Sequence, residues 1–429
     1  MNIPSHIAAW VALSLALGPR SKRFSVLYAH FGSPEAILTA EDAEIRSVVP
    51  DIGGGALSSL CYERHADEVA RILSYCQRTG VSILVPDGEG YPKSLLAIAE
   101  PPVVLYCRGR LPAFGACPFV AVVGTRSMDA YGERTAYKIS FELAAAGAVI
   151  VSGMADGIDG VCHAAALDAD GLTVAVLGCG IDQVYPRHHQ RLFAEIAEFG
   201  AVLTEYAPGT LPHHRNFPMR NRLISALSEA VLMVEGDEIS GALITARYAL
   251  LQGKSLFAVP GNIDSPQSAG VNLLLRGGAR VALCAEDILA HFRFLYREHI
   301  GVLLPDKAMQ YSAVSEEKLR AHGVRSVADA DAKQTRRRKR APAEAAPVEG
   351  EASLAEANAL QASLLAEALT SLDARGQEIY ALLPDISFTV DNLVAAGIPA
   401  GEAVAAMTLF EILGIVSSQP GGTYQKTVC

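Results

Sequence analysis

Seven short apolar runs constrain this chain more than any other feature of its sequence. VSILVP (81–86), FVAVVG (119–124), AVIVSG (148–153), TVAVLG (173–178), AVLTEY (201–206), EAVLMVEG (229–236) and SLFAVPG (255–261) are nearly unbroken in aliphatic residues, and most end in glycine or proline. Between them lie stretches with helical spacing: YGERTAYKISFELAAAG, GIDGVCHAAALDA, HHQRLFAEIAEFG, NRLISALS and GALITARYALLQG. A strand that is apolar on both faces must be covered on both faces, and helices alternating with such strands supply the cover. The pattern predicts an α/β fold, a Rossmann-like doubly wound parallel sheet over residues 79–298.

The chain has 429 residues, too many for one ordinary core, so further units are expected on either side. Residues 1–78 read as a small helical module of the SAM-like or helix-hairpin-helix-like type. Its run IAAWVALSLALG (Ile7 to Gly18) is too short to cross a bilayer and has no basic segment before it, so it reads as a buried helix. Ser33 and Pro34 suit the cap and first position of another helix. Gly53-Gly54-Gly55 reads as a flexible turn, with a packing role favoured over a DNA-binding one.

Residues 299–370 read as a flexible linker, with the basic run TRRRKR (335–340) followed by a segment rich in Ala, Glu and Pro. The basic run is either a solvated tail or a nucleic-acid contact. Residues 371–429 show three helical patterns and then VSSQPGGTYQK, a hairpin with a Pro-Gly-Gly turn. That order predicts a C-terminal winged-helix domain.

The formal net charge is -10, which argues mildly against a nucleic-acid binder, although a local cluster of cations can hold phosphate on an acidic protein. None of the eight cysteines forms a C-x-x-C pair. They read as buried reduced thiols of a cytoplasmic protein, with neither a disulfide framework nor a zinc site.

Ligands of an open parallel sheet bind beyond the carboxyl ends of its strands. Three loops meet that description: Gly124-Thr125-Arg126-Ser127; the run from Ser152, Gly153, Met154 and Ala155 through Asp156 and Gly157 to Asp159; and Gly178 to Asp182, followed by Tyr185-Pro186-Arg187. Glycines let backbone N–H groups approach a ligand, and a following helix N-terminus favours an anion. With Arg126 and Arg187 as cations, the ligand carries phosphate. FPMRNRLIS (217–225) adds Arg220, Asn221 and Arg222, one of which is alternatively the partner of Glu205 or Glu235.

No G-x-G-x-x-G follows the first core strand, and no P-loop, G-x-S-x-G or H-E-x-x-H motif occurs. No catalytic residue, cofactor or metal is expected. The pairs His188-His189 and His213-His214 suggest a metal, but adjacent side chains are expected to point apart, so a pair gives at most one ligand to one site and solvated loop histidines are the favoured reading. Asp156, Asp159 and Asp182 are candidate metal ligands or bases, with capping of helix N-termini and orientation of the arginines the favoured reading.

VVLYCRG, VVGTRSMDAYG, SGMADGIDGVCHAAAL, GCGIDQVYPRHH, NFPMRNRLISALS and SGALITARYALLQGKSLFAVPG together resemble the DprA/Smf family. The resemblance is dense over residues 80–295. It implies an extended Rossmann core that forms a homodimer. It also implies binding and protection of single-stranded DNA, and loading of the RecA recombinase during natural transformation; the few cations and the lack of an obvious aromatic stripe point to backbone contacts and binding nearly independent of sequence. The DNA-contacting arginine of the family corresponds to Arg126, and the basic residue after its Tyr-Pro to Arg187. The glycine loop corresponds to Ser152–Asp159, with Met154 where many members carry leucine, and the R-N-R segment to Arg220, Asn221 and Arg222. Family members are not known as enzymes. A nucleotide hydrolase of Rossmann-like fold is the alternative, but its relatives carry a P-G-G-x-G-T loop and this chain has VPGNIDSPQSAG. A pure adaptor acting through its winged helix is a third reading.

One departure from a DNA-binding chain is local. Residues 119–222 hold eight Lys/Arg against eleven Asp/Glu, a net of -3, and residues 371–429 hold two against six, a net of -4. The third C-terminal helix, PAGEAVAAMTLFEIL, has no cation at all, whereas a winged helix that reads DNA presents cations to phosphate. The C-terminal domain is therefore expected to contact protein, either a partner or another part of the same chain. A 371–429 fragment is expected to leave duplex DNA unshifted in a gel at physiological salt, and a shift there overturns this reading.

Overall fold

The computed structural model describes residues 5–238, 240–296 and 315–329. Towards the C-terminus it describes 369–370, 372, 374–384, 387–413, 415–419 and 423–427. Nine strands form one sheet: β1 (Ser82–Leu84), β2 (Leu105–Gly109), β3 (Phe119–Val123), β4 (Val149–Ser152), β5 (Thr173–Val176), β6 (Ala201–Thr204), β7 (Ala230–Met233), β8 (Ser255–Ala258) and β9 (Arg280–Val281). Their order across the sheet is β1-β2-β6-β5-β4-β3-β7-β8-β9. Strands β6 through β9 pair in parallel, while β2 runs antiparallel to β6 and β1 antiparallel to β2.

Six of the seven apolar runs contain a parallel strand and the first contains β1, so the doubly wound α/β architecture stands. The period of two is plain in β3. Val120 and Val122 join one apolar cluster, whereas Phe119, Ala121 and Val123 join the other, on the opposite face of the sheet. Helices Ala130–Ala145, Ile158–Asp168 and Gln190–Phe199 follow β3, β4 and β5, and Asn216–Ala226 and Ala242–Leu251 follow β6 and β7. β2 carries Tyr106, Cys107 and Arg108, so it does not read as an apolar run. The two-residue β9 is too short to give a pattern.

The N-terminal helices share the first of these clusters. Trp10 lies in helix His6–Leu17 with no exposed surface and packs against Phe24 and Tyr28, at ring-centroid distances of 5.9 and 5.2 Å. Helix Pro34–Thr39 is capped by Ser33, whose side chain accepts from the Ala36 N–H. The three glycines form no free turn, because Gly54 and Gly55 open helix Gly54–Ser59. The seven described cysteines are free, and Cys76, Cys107, Cys162 and Cys179 are buried.

Part of the stretch expected as linker is packed. Helix Glu316–Ala321 lies against helix Ile158–Asp168, with Leu319 and Val324 buried. His322 bridges Glu195 Oε2 at 2.5 Å and Asp168 Oδ1 at 3.0 Å, and the Val327 N–H donates to Glu133 Oε2 at 2.7 Å. Short apolar contacts spread along a polar segment leave no periodic signal, which is why the segment read as linker. The basic run 335–340 lies outside the described residues.

Near the C-terminus, helices Ala374–Ala381, Val390–Ala395 and Ala400–Leu413 precede β10 (Val416–Gln419) and β11 (Thr423–Lys426), which pair as a hairpin. Phe388 bridges to Tyr424. Helix, bridge, two helices and hairpin follow in the order expected of a winged helix. Met407 and Phe410 fill its core, Leu250 and Leu251 of the α/β domain pack against that core, and Arg276 pairs with Glu411 at 2.9 Å.

Leu319→Ala is expected to lower stability by about 2–3 kcal/mol in urea unfolding, whereas a residue in a solvated linker costs less than about 0.5 kcal/mol.

Candidate nucleic-acid interface

The chain leaves β3 for β4 on one side and returns to β7 on the other. The sheet order therefore reverses at β3, and a crevice opens where the following loops diverge. A cleft of about 570 Å³ occupies this position, walled by Gly124, Thr125 and Arg126 after β3, Ala155 and Asp159 after β4, and Asp237 and Ser240 after β7. Tyr185 and Phe217 close the side under β5 and β6.

Arg126 is exposed at the rim, with its guanidinium carbon 5.4 Å from the Phe217 ring centroid. Phe217 in turn stacks on Tyr185, at a centroid distance of 5.1 Å and an interplanar angle of 26°. A cation and two stacked rings thus form one step on the cleft wall. Tyr185 follows the β5 loop and Phe217 opens helix Asn216–Ala226, so no stripe of aromatics marks them in the sequence.

The loop bearing Arg126 is tied down from beneath. The Thr125 N–H donates to the Glu235 carbonyl at 2.8 Å, and the Asp129 N–H lies 3.2 and 3.3 Å from the two carboxylate oxygens of Glu235. Asp129 then caps helix Ala130–Ala145 by accepting from the N–H groups of Tyr131 and Gly132. Burial, with Asp129 adding repulsion, pushes the Glu235 carboxyl up to about 7.

The glycine loop after β4 is mostly internal. Ser152 donates to the Val122 carbonyl at 2.7 Å, and Met154 is fully buried with φ 56°. Asp159 accepts from the N–H groups of Gly153 and Ala155. A Cβ on Gly153 would come within 2.5 Å of Arg220 Nη2 and 2.7 Å of Asp159 Oδ2, so only glycine lets these two charges approach. Gly157 has φ 78° and lies against the backbone of Thr125 and Arg126. Ser152, Gly153, Met154 and Gly157 shape the cleft, and Ala155 and Asp159 are the residues of this loop on its wall.

The R-N-R segment divides three ways. Arg220 lies in the cleft floor but is 3% exposed, donating to the carbonyls of Gly153 and Val176. Asn221 lines the cleft and donates to the Gly241 carbonyl at 3.3 Å. Arg222 does not belong to the surface. It is buried, and its two terminal nitrogens reach both oxygens of Glu205 at 2.6 Å, the pairing that the sequence left open. Arg187 is exposed on the turn Arg187–His189 and stands outside the cleft wall, while Ser127 is exposed beside Arg126.

The histidine pairs depart from expectation. The rings of His188 and His189 meet edge to face with centroids 4.5 Å apart, because the tight turn carries both to one side. Asp182 accepts from the Gly209 N–H at 2.8 Å, which bridges two loops.

The profile of the family described as DNA recombination-mediator protein A matches residues 82–293. Over 426 residues the chain is 32% identical to Protein Smf of Synechocystis, covering 98% of this chain and 99% of that one. It is 37% identical to DNA processing protein DprA of Bacillus subtilis over 250 residues, covering 58% and 80% respectively. The X-ray structure of DprA from Streptococcus pneumoniae superposes with a TM-score of 0.58 at 29% identity, covering 66% of this chain and 97% of that one.

Removing Arg222 strands a buried carboxylate, so Arg222→Ala is expected to cost about 3–5 kcal/mol. Arg126→Ala is expected to stay within about 0.5 kcal/mol of the parent. Urea unfolding followed by the fluorescence of the single tryptophan separates the two. Equal, small losses would return Arg222 to the surface set.

Proposed function

The chain belongs to the DprA/Smf family of DNA recombination-mediator proteins, and from that premise we propose that it binds single-stranded DNA across the cleft beyond β3, β4 and β7. The observation that carries this reading is the step formed by Arg126, Phe217 and Tyr185. Phosphate meets the exposed guanidinium, which binds it bidentately, and an unpaired base stacks on the rings, as bases do on aromatic platforms in single-strand binders. A duplex hides its base faces, so the same step favours single strands. Every base has a π-face, so a stacking step of this kind accepts any base and binding is nearly independent of sequence.

Among the described residues, cations beside the cleft are few. Arg126 and Arg187 face solvent, Arg220 lends its charge from below, and Arg222 is neutralised by Glu205. Affinity per subunit is accordingly modest, and a homodimer joined through the α/β domain raises it by coupling two sites. The bound strand is protected and handed to a RecA recombinase in the cytoplasm, during natural transformation or related DNA processing, with no chemical step on the DNA. Among the described residues no helix is long and apolar enough to cross a membrane. The acidic C-terminal domain takes protein contacts, and its ion pair from Glu411 to Arg276 is one within the chain.

Gel-shift titrations with single- and double-stranded oligonucleotides at several salt concentrations test the reading. Single strands of different sequence are expected to bind alike, and duplex more weakly. Arg126→Ala is expected to weaken binding by roughly tenfold or more, the scale of a charge-assisted contact. Arg187→Glu is expected to weaken it more than Arg187→Ala, with the salt slope falling by about 1. Preference for duplex, or an unchanged affinity for Arg126→Ala, contradicts the proposal.

A further inference from the structure

Beside the cleft, and outside its wall, lies a cluster that DNA binding does not use. One ring nitrogen each of His188 and His189 and one carboxylate oxygen of Asp156 all lie within 4.8 Å of one another. His188 Nε2 stands 2.8 Å from Asp156 Oδ1. His189 Nδ1 stands 3.1 Å from the Met154 carbonyl oxygen. A carbonyl only accepts, so Nδ1 carries the proton and Nε2 keeps its lone pair. The His189 side chain is fully buried, and its Nε2 has no partner among the described residues. Buried polar atoms are nearly always partnered, so this lone pair calls for a ligand.

We propose that Asp156, His188 and His189 hold a divalent transition-metal ion of the zinc class, with one carboxylate and two imidazole ligands and the remaining positions taken by water. Imidazole selects this class over magnesium or calcium, which prefer all-oxygen sites. A backbone carbonyl on the far ring nitrogen is the support that metal-bound histidines ordinarily have, since it sets the tautomer and aims the other nitrogen. Ligand atoms around such an ion lie about 3.0–3.4 Å apart at bond lengths near 2.1 Å. The His188–Asp156 pair therefore opens by a few tenths of an ångström, and the three ligand atoms, now within 4.8 Å of one another, draw in around the ion. The neighbours give the ion a second consequence: Ala155 walls the cleft and Arg187 precedes His188. A bound dication adds positive charge beside a stretch whose own net is -3.

The test uses the full chain, stripped with a chelator and titrated with Co²⁺, whose visible absorption reports ligand type and geometry. One equivalent per chain is expected, displaced by Zn²⁺, with visible bands and no thiolate charge-transfer band from the free cysteines. Asp156→Asn and His188→Ala are each expected to weaken Co²⁺ binding by tenfold or more, while His214→Ala, at the other histidine pair, leaves it unchanged. Asp156 is part-exposed, so Asp156→Asn decides the matter even if a change at the buried His189 prevents folding. Absence of Co²⁺ bands overturns the proposal. So does a thiolate charge-transfer band, or an affinity that Asp156→Asn and His188→Ala leave unaltered.

Discussion

Strands β3 through β7 are buried on both faces, and the remaining architecture answers to that burial. Two apolar faces require two helical layers, and parallel strands require crossovers long enough to supply them. Crossovers to both sides of β3 create the point where consecutive loops part. The cleft is thus a by-product of covering the sheet, and its place is set before any polar residue is chosen. The N-terminal helices extend the same cover, because Trp10, Leu13 and Phe24 belong to one apolar cluster with Val122 and Ile150.

A second layer of buried charge lies beneath the cleft. Arg220 and Asp159 face each other across Gly153, and Glu235 holds the backbone of Asp129, so the loops carrying Gly124–Arg126 and Ala155 are held by groups that solvent does not reach. Low dielectric strengthens these contacts and makes each partner costly to remove. The loop that carries Arg126 is thereby held from beneath by hydrogen bonds to Glu235. Glu205 and Arg222 do related work farther in, where Arg222 also donates to the Glu100 carbonyl at 3.0 Å.

Charge is placed sparingly on this acidic chain. The C-terminal domain keeps its few cations at home: Arg375 is held by Glu378 and Glu402, and Lys426 lies over Tyr380. Its acidic Glu411 turns towards Arg276 of the α/β domain. Such a domain has little to offer a polyanion. Around the cleft, the exposed guanidinium of Arg126 stands at the rim.

The sequence by itself determined the α/β class, six of the seven parallel strands, the helices between them and the loops that follow β3 and β4. All of these arise from local periodicity, repeated over enough residues to stand out. Tertiary structure alone decided which side chains of those loops reach the cleft. Arg220, Asn221 and Arg222 are consecutive and chemically alike as candidates, yet a helix turns successive residues about 100° apart. One therefore enters the cleft floor, one its wall and one the core beside Glu205. Tyr185 and Phe217 lie on different elements and meet only when the sheet is built. The contacts of residues 315–329 and the convergence of Asp156 with both histidines also arise between segments far apart in the chain, where no spacing rule applies.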